Sequence, residues 1–137
     1  MKNVVIIILI GFGFLLMGST DVTQVNFFEG TFEEALKKAK KSKKPIFLNF
    51  YANWSQPCKN MEKYSFSDPE FAKLINENFI AFKVKTDYFW GMDIAEEYGI
   101  SKHPTVIFTD KKGSEIRRAV GFKSAKDLTK IAKAILK

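Results

Sequence analysis

A short apolar run that leads into a proline-containing helix start constrains this chain more than any other stretch. The residues Ile46–Tyr51 are almost continuously apolar and follow Pro45, which is typical of a strand covered on both faces. Pro57 comes soon afterwards, and proline is favoured in the first turn of a helix because no N–H donor is needed there. Such a junction directs backbone N–H groups and the positive end of a helix dipole at the turn, which favours an anionic thiolate such as Cys58 could supply.

The rest of the chain alternates between the two periodicities. Helix patterns are predicted over residues 32–41, from about 55 to 64, from 67 to 78, over 92–98 and from 124 onward; strand patterns are predicted over 46–51, 79–86, 106–108 and 115–120, with a hairpin turn at 111–113. Helices interleaved with strands, followed by a hairpin and a last helix, indicate an α/β sandwich with a mixed sheet. We find neither an internal repeat nor a low-complexity linker in the sequence.

The strand-to-helix junction resembles a known active-site segment. The stretch Phe50-Tyr51-Ala52-Asn53-Trp54-Ser55-Gln56-Pro57-Cys58-Lys59 resembles the thioredoxin superfamily pattern F-x-A-x-W-C-x-P-C-K. The chain is most similar to exported bacterial thioredoxin-like proteins and to the carboxy-terminal domain of the thiol:disulfide interchange protein. The resemblance covers essentially residues 21–137 and implies the thioredoxin fold, with a central mixed β-sheet flanked by helices on both faces.

Two residues depart from the family pattern at chemically critical positions. Ser55 stands where the family has its nucleophilic cysteine, and Asn49 stands where thioredoxins usually carry a buried aspartate. Thiol–disulfide exchange requires one thiolate to attack and a second thiol to resolve the mixed disulfide. An alcohol cannot take the first role, and Cys58 cannot take both. We therefore expect little dithiol turnover, with Ser55 and Cys58 as a degenerate Ser-x-x-Cys catalytic site.

The resemblance also implies a docking surface for protein or peptide clients. It places a cis peptide bond before Pro104, and it places His103, Pro104 and Thr105 opposite Ser55 and Cys58. The predicted partner-binding residues are Trp54, Pro57, His103, Pro104 and Thr105. The alternative interpretations are that Trp54 only covers the core and that Pro104 only forms a tight turn.

The amino-terminal residues have the pattern of an export signal. Lys2 precedes an apolar run of about 14 residues that ends before Gly18-Ser19-Thr20, and this run is shorter than the roughly 18 residues needed to span a bilayer. We predict that residues 1–20 are a signal peptide, or an uncleaved anchor, and that residues 21–137 are a thioredoxin-like domain. Localisation is then periplasmic or extracellular.

Composition excludes several other functions. The net charge of +7 comes mainly from lysine clusters without interleaved arginine and aromatic residues, so we expect no nucleic-acid partner and at most transient association with a membrane. One cysteine and one histidine are too few for a zinc site, so we predict no metal and no cofactor. A single cysteine also excludes an intramolecular disulfide, and we expect a monomer.

Three functional hypotheses follow. The first is a protein- or peptide-binding module of the thiol-disulfide oxidoreductase family. The second is a monothiol oxidoreductase, in which Cys58 forms a mixed disulfide with a client and an external thiol resolves it. The third is that Ser55 is an introduced substitution in an ordinary disulfide reductase; Asn49, a second change in the same direction, argues against it.

Overall fold

The computed structural model describes residues 21–137, and the predicted signal peptide or anchor over residues 1–20 lies outside the described residues. Within the described part, the helices are α1 (Phe32–Ser42), α2 (Gln56–Tyr64), α3 (Pro69–Asn78), α4 (Phe89–Glu97) and α5 (Ala125–Ile135). The strands are β1 (Ile46–Tyr51), β2 (Ile80–Lys85), β3 (Thr105–Thr109) and β4 (Glu115–Val120). None of these helices is long and apolar enough to cross a membrane.

The strands form one sheet in the order β2-β1-β3-β4. Strand β1 runs parallel to β2 and antiparallel to β3, and β3 runs antiparallel to β4. This mixed sheet confirms the α/β architecture expected from the order of the sequence patterns.

The central strand β1 is buried on both faces, as its apolar run predicts. Phe47 belongs to one core cluster, which also contains Met61 from α2 and Leu128 from α5. Leu48 and Phe50 belong to a second cluster on the opposite face, with Ala35 and Ala39 from α1 among its members. Alternate side chains of a strand point to opposite faces, so β1 holds both halves of the core together.

Aromatic rings dominate the first cluster. The Phe47 ring centroid lies 5.2 Å from that of Phe108, 5.7 Å from Phe66 and 5.8 Å from Phe71, each at a steep interplanar angle. Edge-to-face pairs of this kind add about 0.5–1.5 kcal/mol beyond the burial of their area. Phe47 is therefore the centre of the packing beneath α2 and α3.

Helix α4 begins at Phe89, earlier than the Met92 predicted from the sequence. Its N-cap residue, Tyr88, makes no side-chain capping bond, so the usual start signal is missing. The start is instead fixed by Gly91, because a Cβ at this position would lie 1.8 Å from the carbonyl oxygen of Lys85. Only glycine lets the first turn of α4 approach the end of β2 this closely.

The two edges of the sheet differ. On the β2 side, Phe27 forms a parallel bridge with Ala81, and the Phe28 N–H donates a 2.8 Å hydrogen bond to the Ala81 carbonyl. No strand pairs with the outer side of β4 within residues 21–137. The bridge has no sequence signal, because it consists of a single pair of residues outside any strand.

Candidate functional site

Ser55 is the N-cap of helix α2. Its backbone is extended, and its Oγ accepts a 3.3 Å hydrogen bond from the backbone N–H of Cys58. Pro57 lies in the first turn of the helix, as predicted. The side chain of Ser55 is only 4% exposed, so its hydroxyl is enclosed and committed to the helix start. The residue that the sequence resemblance assigns to the nucleophile position thus acts as a helix cap.

Cys58 lies in the first turn of α2 with its side chain turned inward. It is a free cysteine with 7% of its surface exposed. Its backbone N–H is the donor that Ser55 satisfies, which ties the two residues of the Ser-x-x-Cys motif together. A buried thiol reacts slowly with the disulfides of partner proteins, because exchange requires an accessible thiolate.

Asn49 lies in the middle of β1, between Lys83 of β2 and Val106 of β3 in the strand register. It is buried, and its Oδ1 atom has no hydrogen-bond partner. An unsatisfied buried polar group costs about 1–3 kcal/mol. Lys83 does not donate a hydrogen bond to this atom; its ammonium group pairs with the carboxylate of Glu62.

The peptide bond between His103 and Pro104 is cis, the isomer that the family resemblance implies. The Nε2 atom of His103 lies 2.6 Å from the Oγ1 atom of Thr86. Burial lowers the pKa of His103, and the nearby carboxylate of Asp87 opposes this shift in part. The lowered pKa favours a neutral imidazole at neutral pH.

Trp54 projects outward from the turn before α2. Its side chain is 72% exposed, and its ring meets that of His103 at a centroid distance of 5.7 Å and an angle of 73°. Trp54 therefore does not cover the core. The pair forms an exposed aromatic surface beside the cis-proline loop.

Two further residues of the predicted docking surface, Pro104 and Thr105, are buried in the cis-proline loop, while Pro57 is exposed in the first turn of α2. Thr105 is buried, and its hydroxyl donates a 2.7 Å hydrogen bond to the Lys102 carbonyl. The Pro104 carbonyl accepts a 2.8 Å hydrogen bond from the Gly121 N–H. The side chain of Thr105 thus stabilises the loop. Trp54 and His103 provide the accessible surface of the site. No hydrogen bond joins His103 to Ser55 within residues 21–137.

Sequence reasoning missed a second exposed apolar group, at the start of α4. Tyr88, Phe89 and Met92 each expose more than half of their surface. The available signal was the aromatic run Tyr88-Phe89-Trp90 directly after a strand, where polar loop residues are the norm. The third aromatic residue, Trp90, is 45% exposed, and its ring lies between Phe82 of the core at 6.2 Å and Tyr88 at 6.5 Å.

The sheet order, the cis-proline loop and the strand-to-helix junction together define a thioredoxin-like protein. Residues 32–136 match the family model described as Thioredoxin-like domain, and the chain belongs to this family.

Curated relatives carry the name thiol:disulfide interchange protein DsbD. The protein from Colwellia psychrerythraea is 32% identical over 110 residues, which is 77% of this chain and 18% of the relative. The protein from Salmonella typhi is 34% identical over 100 residues, which is 67% of this chain and 16% of the relative. The chain thus spans less than a fifth of the length of these relatives.

Solved structures confirm the thioredoxin fold. A putative disulphide-isomerase from Bacteroides thetaiotaomicron superposes with a TM-score of 0.73 and 30% identity, covering 85% of this chain and 96% of its own. The oxidised DsbD c-terminal domain from Neisseria meningitidis gives a TM-score of 0.63 and 26% identity, covering 74% and 90%. The family and its thiol-disulfide chemistry are therefore the framework for interpreting this site.

The capping role of Ser55 predicts a measurable effect on stability. Ser55→Ala removes the acceptor of the Cys58 N–H, and we expect a loss of about 1 kcal/mol in the free energy of unfolding. Ser55→Gly is expected to cost only a few tenths of a kcal/mol, since glycine is tolerated at N-caps. Urea denaturation measures both, and Ser124→Ala at the cap of α5 is the matched control. If Ser124→Ala lowers the urea midpoint and Ser55→Ala leaves it unchanged, Ser55 does not cap helix α2.

Proposed function

We propose that this chain is an exported thioredoxin-like protein that acts mainly as a protein- or peptide-binding module, with little dithiol turnover. The observation that carries this proposal is that Ser55, which the resemblance assigns to the nucleophile position, is a buried helix cap. Without a thiol there, Cys58 has no intramolecular partner. The site therefore has no internal means of releasing a covalently bound client.

The exposed part of the site supports a docking role. Trp54 offers a large aromatic surface at the rim of the turn, and His103 packs against it from the cis-proline loop. Tryptophan is enriched among the residues that contribute most to protein interfaces, because its ring buries a large area for little loss of conformational freedom. Keeping this side chain in solvent stabilises the fold little, so binding is the more economical explanation.

The sequence supports export, and the names of the relatives support a role with protein thiols and disulfides. The matched relatives are named as interchange proteins for thiols and disulfides, and residues 1–20 have the pattern of a signal peptide or anchor. The clients we propose are proteins or peptides that reach the active-site face. A covalent monothiol cycle through Cys58 is disfavoured, because the thiol is enclosed.

The docking function is tested with a client that cannot form a disulfide. Reduced, carbamidomethylated lysozyme is unfolded and has no free thiol, so binding to it is non-covalent. We expect saturable binding in a fluorescence anisotropy titration, and Trp54→Ala should weaken it at least about tenfold. Tyr64→Ala is the matched control, since Tyr64 is also an exposed aromatic residue but lies at the opposite end of α2.

Equal affinity of wild type and Trp54→Ala for this client would overturn the docking function. Binding that appears only with unfolded lysozyme that keeps scrambled disulfides, and that is lost in Cys58→Ala, would instead support the monothiol enzyme, because the Cys58 thiolate attacks a client disulfide and releases one client thiolate.

A further inference from the structure

A second exposed surface adjoins the candidate site, and its chemistry indicates a class of partner. We call this surface the α4 shelf; it consists of Tyr88, Phe89 and Met92. Phe89 is 88% exposed, and the other two residues expose more than half of their surface. Met92 follows Phe89 by three positions in α4, so the two side chains lie on the same face of the helix.

The shelf does not serve the fold. The exposed ring of Phe89 lies outside both core clusters, so it gives up almost none of its hydration on folding. Its backbone is nevertheless held firmly, because Gly91 brings the first turn of α4 against the Lys85 carbonyl. An apolar group that is fixed in position and left in water is typical of an interaction surface.

The shelf is linked to the predicted docking surface through the segment that follows β2. Thr86 directly follows β2, and its Oγ1 atom lies 2.6 Å from the Nε2 atom of His103. His103 packs in turn against Trp54. Tyr88 follows Thr86 by two residues, so the start of α4 is two residues along the chain from the residue that contacts His103.

The charge around the shelf is opposite to that of the whole protein. Residues 86–100 contain four acidic residues and no lysine or arginine, although the chain carries 22 basic and 15 acidic residues. The acidic residues are Asp87, Asp93, Glu96 and Glu97. The acidic residues of this segment favour cations over anionic lipid headgroups, and the Lys85 ammonium group against Tyr88 offsets part of their charge.

One cation already sits on the shelf. The Nζ atom of Lys85 lies 5.6 Å from the centroid of the Tyr88 ring. Such contacts contribute about 0.5–1 kcal/mol at exposed sites. The ring of Phe89 is mostly open to solvent and can accept the same kind of contact from another molecule.

We propose that the α4 shelf binds a client segment in which an apolar side chain is flanked by lysine or arginine. The apolar group packs on Phe89 and Met92, and the basic groups face Asp93 and Glu96. This inference rests on the proposed docking function and names the client class of the same face. Electrostatic complementarity of this kind selects partners and speeds their association.

A set of labelled peptides tests the proposal. The probe is a short fluorescein-labelled peptide in which lysine alternates with leucine and phenylalanine; its counterparts replace lysine by glutamate, or the apolar residues by serine. We expect the lysine probe to bind at least about tenfold more tightly than either counterpart. Phe89→Ser should weaken its binding at least about tenfold, and Asp93→Lys combined with Glu96→Lys should reverse the preference for charge. Ile116→Ser, an exposed apolar residue on the far edge strand β4, is the control and should change nothing.

The outcomes separate the shelf from the docking function. Unchanged affinity in Phe89→Ser overturns the shelf proposal, while a loss of lysozyme binding in Trp54→Ala keeps the docking function intact. Preference for the glutamate probe also overturns the shelf proposal. So does Phe89-dependent binding to vesicles of phosphatidylglycerol in place of the lysine peptide, because the surface would then be a membrane contact.

Discussion

Ser55→Cys is expected to raise the rate of insulin disulfide reduction at least about tenfold above the wild-type rate, although residue 55 is as buried as Cys58, because it supplies the second thiol that lets a mixed disulfide be resolved within the chain. The substitution places a thiol at the start of α2, at the cap position above the Cys58 N–H. Helix N-termini stabilise thiolates, because their unpaired N–H groups and dipole face the sulfur.

The electron balance explains the size of the effect. The introduced thiolate attacks one sulfur of the insulin disulfide, forms a mixed disulfide and releases one insulin thiolate. Cys58 then attacks the protein sulfur of that bond, closes an intramolecular disulfide and releases the second insulin thiol. Two electrons pass from the protein to insulin, and dithiothreitol returns them. Wild type has only one thiol and cannot complete the second step.

The double variant Ser55→Cys/Cys58→Ala is the matched control and should lose turnover while still forming mixed disulfides. Adding Asn49→Asp to Ser55→Cys should accelerate the resolving step further, because the family resemblance implies a carboxylate as proton acceptor for Cys58. Repeated insulin reduction by the unaltered chain would contradict the account of the site. Failure of a folded Ser55→Cys variant to gain activity would do the same.

The second large effect concerns stability. Phe47→Ala is expected to lower the free energy of unfolding by about 3–5 kcal/mol, since it removes a fully buried ring at the centre of an aromatic cluster. A domain of ordinary stability has about 5–15 kcal/mol in total, so this single change consumes much of it. Urea denaturation followed by circular dichroism measures the loss.

Phe89→Ala is the matched control, because it deletes the same side chain from a position that is 88% exposed. Its expected effect is within about 0.5 kcal/mol of zero, as for other surface substitutions. Comparable losses in the two variants would show that Phe89 is part of the core, and would remove the basis of the shelf proposal as well.

Strong periodic signals explain why much of the fold was predictable from the sequence. The apolar run Ile46–Tyr51 needed two covered faces, and the structure supplies them. Helix starts with an Asp or Ser cap, as at Asp68 and Ser124, were placed within a few residues of their observed positions. Local capping chemistry and periodicity carry this information without reference to the rest of the chain.

The details that were missed depend on contacts between distant residues. The early start of α4 follows from the close approach of Gly91 to Lys85, which no local pattern records. The commitment of Ser55 to the cap of α2 became visible only with the position of the Cys58 N–H. The unpaired Oδ1 atom of Asn49 is likewise a tertiary property: Lys83, its neighbour in the strand register, pairs with Glu62 instead. Burial and partner choice are tertiary properties, and the sequence alone left them open.

The Phe27 bridge covers part of the outer side of β2, at Ala81. No strand pairs with the outer side of β4 within residues 21–137, so a foreign strand that extends the sheet finds the more open edge there. That edge carries Arg117 and Arg118, and its register with β3 shifts near Thr109. Charge and irregular pairing at an edge strand both disfavour its pairing with a strand of another molecule. These features disfavour association through strand pairing at β4 in a molecule that exposes rings such as Trp54 and Phe89.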